Sequence, residues 1–425
     1  MLNLPLRSLL VSNFLTHNDY ECLLHVCHAW QDIVASVCYG ARSLLLTSDV
    51  CRLHNLPRVA ERPERLDVVL QRLTARFPWL EPERSLPAAT DRQLQSVHKQ
   101  AYIHMVLSMG EKVERSMAAL DALARTPPSH VSPTDNALAT DCLPAPSPSP
   151  TARRAVALTA AQKTHLRQFE SVPIGEDMSL MRHSVTAARV AAGGAGLAVD
   201  RVLHEGWPSR NAFCVVRPPG HHASACRTKG FCVFNNVAIA AFHAIATYHL
   251  RRVVIVDLDV HHGNGTQEVI EREPRALYIS MHQRAPWFPH SGFASEIGHY
   301  GNILNVPIRA HSSAQNYRAQ FTAKVLPCIR TFCPQLVIIS MGFDGSLRDP
   351  MGELQLDASD FYWLTSALCQ VAWDCCEGKL VSVLEGGYHL GALADGAEQH
   401  MQALLHGSCR PDGFGVIEKE GTKRS

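Results

Sequence analysis

The sequence predicts an α/β protein: a single three-layer domain with a mostly parallel central sheet. A small helical N-terminal segment precedes it, and a disordered Pro-rich insertion interrupts it. Three observations carry this expectation. Beyond residue 210, short apolar runs alternate with longer stretches of helical periodicity, the pattern of strand–helix–strand units with both sheet faces covered. Each apolar run is followed by glycine, proline, histidine or acidic residues. Seven of the 25 prolines fall between residues 127 and 150, with Ser and Ala between them, and such a composition cannot bury enough surface to offset its ordering entropy.

The elements follow in chain order. Strands are expected at 213–216, 253–256, 277–280, 336–340 and 380–384, and helices at 236–248, 316–332 and 358–373. The expected organisation is a helical segment at 1–42, a domain at 43–410 containing the insertion at 124–160, and a tail at 411–425. A length of 425 residues with 46% hydrophobic content allows a large core. The net charge of +1 argues against a protein that coats nucleic acid. No run of about 18 apolar residues predicts a membrane span. Asn13, His17, Asn18 and Asp19 break any secretory pattern at the start. The 14 cysteines include no pair with zinc-ribbon spacing, which suggests reduced thiols in the nucleus and/or cytoplasm.

The richest stretch is Val254-Ile-Val-Asp-Leu-Asp-Val-His-His-Gly-Asn-Gly265. It delivers Asp257, Asp259 and His261 at alternate positions at the end of a strand, so their side chains leave on one side. Converging carboxylates repel and are costly to bury unless a cation compensates. Asp344, after the 336–340 strand, supplies a third ligand beside Asp259 and His261; alone it would read as a helix N-cap. Two Asp and one His leave a coordination position open for water and substrate. Zinc suits this set, and iron, cobalt or manganese are also admitted. In parallel sheets, ligands sit beyond the carboxyl ends of the strands, where all of these residues lie.

His221 and His222 follow Pro218-Pro-Gly220 at another strand end. They could be metal ligands, but proton transfer is the favoured reading, with Asp257 and Asn264 as orienting partners. Tyr388 follows Gly386-Gly387; its phenol can hold a developing oxyanion, or it is a turn tyrosine with its hydroxyl in water. Phe231 and Phe288 flank turn formers and could line a slot for an aliphatic chain; core aromatics are the plainer alternative.

Assembled, these residues resemble the zinc-dependent histone deacetylases of the arginase/deacetylase fold, and the wording is closest to the class II branch. Glu61-Arg-Pro-Glu-Arg65, Ala191-Ala-Gly-Gly194, Arg217-Pro-Pro-Gly-His-His-Ala223, Gly230-Phe-Cys232, the segment 257–267 and Asp349-Pro-Met-Gly352 carry the resemblance. It implies one Zn2+ on Asp259, His261 and Asp344. It implies His221 and His222 as the acid/base pair, supported by Asp257 and Asn264, and Tyr388 as the transition-state donor. A structural K+ would use Asp257, Asp259, His261, Ser280 and Met281. Gly230, Phe231 and Phe288 match the acyl-lysine tunnel, and Asp177 matches the rim residue that holds the substrate backbone, although the wording from 177 to 184 diverges from the family. Met351 stands where polyamine-selective relatives carry Glu, and Gly263 where two-metal relatives carry a further Asp.

The first forty residues, with Leu4-Pro5, Leu23-Leu24, Val26-Cys27 and Trp30, resemble an F-box, which docks on a Skp-type adaptor. An amphipathic hairpin packed on the main domain fits equally. The functional expectation is a zinc hydrolase that removes acetyl or other acyl groups from lysines of histones or other proteins. The alternatives are an acetylpolyamine amidohydrolase, and an acyl-lysine reader or ubiquitin-ligase scaffold with weak catalysis.

Overall fold

Among the described residues, nine short strands account for the sheet structure: β1 (Ser43–Thr47), β2 (Ser171–Pro173), β3 (Ser179–Met181), β4 (Asn211–Val215), β5 (Val253–Asp257), β6 (Ala276–Gln283), β7 (Ile303–Ile308), β8 (Leu336–Met341) and β9 (Leu380–Leu384). This computed structural model describes residues 43–408, apart from 57–58, 125–169, 176, 205–209, 285 and 287. The expected helical segment at 1–42 and the tail at 411–425 lie outside the described residues, as does nearly all of the expected insertion.

Seven strands form one sheet in the order β1-β4-β9-β8-β5-β6-β7, and every pairing in it is parallel. β4, β5, β8 and β9 are buried at every residue. That is why they read as continuous apolar runs rather than alternating ones. β2 and β3 form a separate antiparallel hairpin.

Successive residues of a strand face opposite ways, and β4 shows what covers each face. The Phe213 ring lies 4.7 Å from the His400 ring, on the helix Leu390–His406. The next residue, Cys214, directs its thiol to the Gly194 carbonyl, on the helix Ser184–Leu203. The sheet is therefore sandwiched. On one side, Leu390–His406 packs with Ala358–Cys376 and Glu64–Arg76; on the other, Ser184–Leu203 packs with Asn236–Thr247. The expected three-layer architecture is thus observed. The predicted helix at 316–332 runs from Ala314 to Phe332, with a π-helical turn at Phe321–Val325.

The topology locates the site. From β5 the chain moves outward to β6 and β7, then returns to lay β8 and β9 on the other side of β5. Neighbouring strands whose connections leave in opposite directions open a crevice at their carboxyl ends. β5 and β8 are such a pair, in register from Val253↔Leu336 to Asp257↔Ser340.

Candidate metal and catalytic site

The loops after β5 and β8 bring Asp259, His261 and Asp344 together. One donor atom from each can be chosen so that all lie within 4.8 Å of one another, and no other such group occurs among the described residues. His261 Nδ1 stands 3.1 Å from Asp259 Oδ1 and 3.2 Å from Asp344 Oδ2. Donor atoms at the usual distances from a tetrahedral zinc lie about 3.3 Å apart, so these separations fit one shared ion.

Backbone amides hold each carboxylate in place. Val260 N–H donates to Asp344 Oδ1 at 2.9 Å, His261 N–H to Asp259 Oδ1 at 2.9 Å, and Gly386 N–H to Asp259 Oδ2 at 2.8 Å. Gly386 can come this close only without a side chain: a Cβ there would lie 2.1 Å from Asp344 Oδ2 and 2.5 Å from Asp259 Oδ2. Asp344 Oδ2 is buried and accepts no hydrogen bond, although His261 Nδ1 is near. A proton on Nδ1 or a metal ion between the two atoms would satisfy both. Burial, then the adjacent Asp259 carboxylate, pushes the Asp344 carboxyl above the usual carboxylate range. His261 offsets part of this charge without outweighing burial and Asp259, and a divalent ion suits the set.

The loop after β4 supplies the histidine pair. The two rings lie against each other, tilted by 45° with centroids 3.9 Å apart. His221 Nδ1 lies 3.1 Å from Asp257 Oδ2, and His222 Nδ1 lies 2.8 Å from Asn264 Oδ1. The sequence-predicted partners are therefore in reach, one anionic and one neutral. Burial would lower His221, but Asp259 and Asp257 outweigh it and push the ring up to about 10. His222 is held well below its ordinary value by burial, then by His221 and His261. Tyr278 O–H also donates to Asp257 Oδ2 at 2.8 Å. Ser280 is the register partner of Asp257, and its Oγ lies 2.8 Å from His282 Nδ1; Met281 follows it on β6.

Tyr388 is partly buried beyond β9. Its ring meets Phe231 at 5.9 Å, and the Arg65 guanidinium lies 4.9 Å from its centre. Phe288 lies 4.9 Å from the His222 ring and 5.9 Å from the His261 ring. Phe231 holds a φ of 63°, a conformation that bulky residues keep only where the surroundings enforce it. Both oxygens of Asp177 accept the Gly230 N–H, at 3.1 and 2.9 Å, so this carboxylate is engaged with the chain's own backbone. Met351 is exposed.

Four supporting residues were given no role from the sequence, although Glu61, Arg65 and Asp349 lie in the motifs quoted above. Glu385 is buried and accepts the N–H groups of Gly220 (2.7 Å) and His221 (3.1 Å) and the Ser340 hydroxyl (3.0 Å). Its sequence signal was a lone carboxylate directly after an apolar run. Glu61 forms a buried pair with Arg217, whose Nε donates at 2.7 Å. Burial would raise Glu61, but Arg217 outweighs it and holds the carboxyl down to about 2. Arg65 joins Glu61 (3.2 Å) to the Gly387 carbonyl (2.6 Å). Asp349 accepts the N–H groups of Met351 (3.0 Å), Tyr388 (2.6 Å) and His389 (2.9 Å).

Residues 59–404 match the family model described as "Histone deacetylase domain". Over 249 residues the chain is 36% identical to "Type-2 histone deacetylase 2" of Dictyostelium discoideum, covering 54% of this chain and 14% of that one. Over 227 residues it is 41% identical to "Polyamine deacetylase HDAC10" of Mus musculus, covering 51% of this chain and 33% of that one. The chain thus spans a third or less of these two relatives. A crystal structure of the HDA15 HD domain matches it with a TM-score of 0.66 at 29% identity, covering 86% of this chain and 88% of that one.

Proposed function

The chain belongs to the histone deacetylase family, and from that premise we propose that it hydrolyses acyl-lysine amides in proteins, histones among them. One zinc ion would be held by Asp259, His261 and Asp344. The observation that carries this reading is the convergence of these three donors beside a histidine pair. A zinc ion bound there supplies Lewis acidity to the acyl carbonyl and to water.

The chain's own residues do the rest. One histidine of the pair takes the proton of the attacking water, and the pair returns a proton to the lysine nitrogen as the C–N bond breaks, giving acetate and free amine. Asp257 fixes the His221 ring and Asn264 the His222 ring. The Tyr388 phenol donates to the acyl oxygen as it gains charge. Gly230, Phe231 and Phe288 line the slot for the lysine stem, with Asp177 and Met351 at its entrance. Asp257, Asp259, His261, Ser280 and Met281 would hold a structural K+. A second divalent ion is disfavoured, because any side chain at Gly263 would place its Cβ 2.2 Å from Asp257 Oδ2. The Asn264 partner of His222 favours the class II branch. The domain spans 43–410, and residues 1–42 dock a Skp-type adaptor.

A second reading, hydrolysis of acetylated polyamines, is favoured by the 41% identity with a mouse protein named for that activity. Zinc content and turnover of an acetyl-lysine peptide by the purified chain test the first reading. Asp259→Ala should lose both the metal and measurable turnover, and a chelator should abolish activity that zinc restores. Stoichiometric zinc in Asp259→Ala would refute the ligand assignment.

A further inference from the structure

Lys229 reaches from the segment that carries Phe231 to the segment that carries Phe288. Its ammonium lies 4.8 Å from the centre of the Phe288 ring and donates to the Pro289 carbonyl at 3.3 Å. The face of an aromatic ring attracts a cation, and the carbonyl adds a hydrogen bond. Phe288 in turn lies against the His222 ring. A single aromatic ring therefore separates a held positive charge from the histidine pair.

The backbone beneath Lys229 is also held. Gly230 N–H is bound by both oxygens of Asp177. A Cβ on Gly230 would lie 2.1 Å from the His222 ring, so this segment abuts the pair directly. Asp177 is the acidic group on the neighbouring segment and offsets part of the Lys229 charge, but its oxygens are committed to that amide.

We propose that Lys229 is a specificity-determining residue, whose ammonium at the entrance selects acyl-lysine carried on a peptide over acylated polyamines. The proposal rests on the hydrolase reading given above. An acetyl-lysine peptide presents a neutral backbone amide where its side chain enters the slot. An acetylated polyamine presents a secondary ammonium after three or four carbons, followed by another amine. Two cations about 5 Å apart at a protein surface repel enough for a discrimination of roughly tenfold after screening by solvent and salt. Acidic residues flanking the acyl-lysine should be favoured by the same field.

The test compares kcat/KM for N8-acetylspermidine with that for an uncharged acetyl-lysine peptide, in the zinc-loaded full chain and in Lys229→Gln and Lys229→Glu. The ratio of polyamine to peptide should rise about tenfold in Lys229→Gln and further in Lys229→Glu. In the unsubstituted protein the ratio should also rise with added salt, which needs no variant. A ratio within twofold of the unsubstituted protein in both variants, with no salt response, overturns the proposal. Failure of the unsubstituted protein to hydrolyse either substrate would sink the hydrolase reading instead. The charge effect is then read by calorimetry: tighter binding of N8-acetylspermidine by Lys229→Gln sustains it, and equal binding overturns it.

Discussion

On the floor of the site, Glu61, Arg217, Asp257, Asp259, Asp344 and Glu385 are buried, and each meets a group delivered by another segment of the chain. At the proposed entrance, Lys229 and Phe288 are partly exposed and Met351 is exposed. The floor is interlocked because a buried charge without a partner is very costly. The entrance carries no such penalty, so its side chains are set by what must pass them. The difference teaches that the floor constrains the reaction type, whereas the entrance is where substrate choice can vary without unfolding the domain.

The sharpest way to break this contrast is at the floor. Glu61→Ala leaves Arg217 buried without its partner and should cost about 3–5 kcal/mol of stability, measured by denaturant unfolding. A loss below about 1 kcal/mol would show that water or other acceptors replace Glu61, and the floor would be no more constrained than the entrance. Next comes Tyr388→Phe, which removes one hydroxyl. It should lower kcat by about two orders of magnitude with little change in KM, as for loss of an oxyanion donor. Near-normal turnover would remove the phenol from the chemistry. The smallest expected effect is at Glu385, a positioning residue. Glu385→Ala should lower kcat about tenfold by loosening the Gly220 and His221 amides, with KM little changed. Glu385→Gln keeps an acceptor oxygen and should recover most of the rate. If both variants shift KM and spare kcat, Glu385 acts on the slot rather than on the histidine pair.

The legibility of the sequence followed the same division. β5, β8 and β9 were readable because parallel strands buried on both faces are uninterrupted apolar runs. β1 was missed, since five residues such as Ser-Leu-Leu-Leu-Thr fit helix or strand equally. β7 was also missed. It contains Pro307, a strand breaker tolerated here because β7 lies at the sheet edge and pairs only with β6. The candidate ligands and the histidine pair stood out because each lies within a few residues of a strand's carboxyl end. The Glu61–Arg217 pair was not, because 156 positions separate its members and no local pattern links them. Lys229 gave no signal at all: a lysine in a turn is ordinary until its ammonium is found over an aromatic ring.

Asp349 carries a consequence for how such a protein can change. The same carboxylate pins the amide of Met351, which is exposed, and those of Tyr388 and His389, next to the proposed oxyanion donor. Met351 and the phenol are therefore tied to one peg. A bulky ligand that pushes Met351 aside tilts the hydroxyl with it, so retuning which molecules enter at this side also retunes how fast they react. Lys229, whose ammonium meets Phe288 and Pro289 instead, is free of that tether.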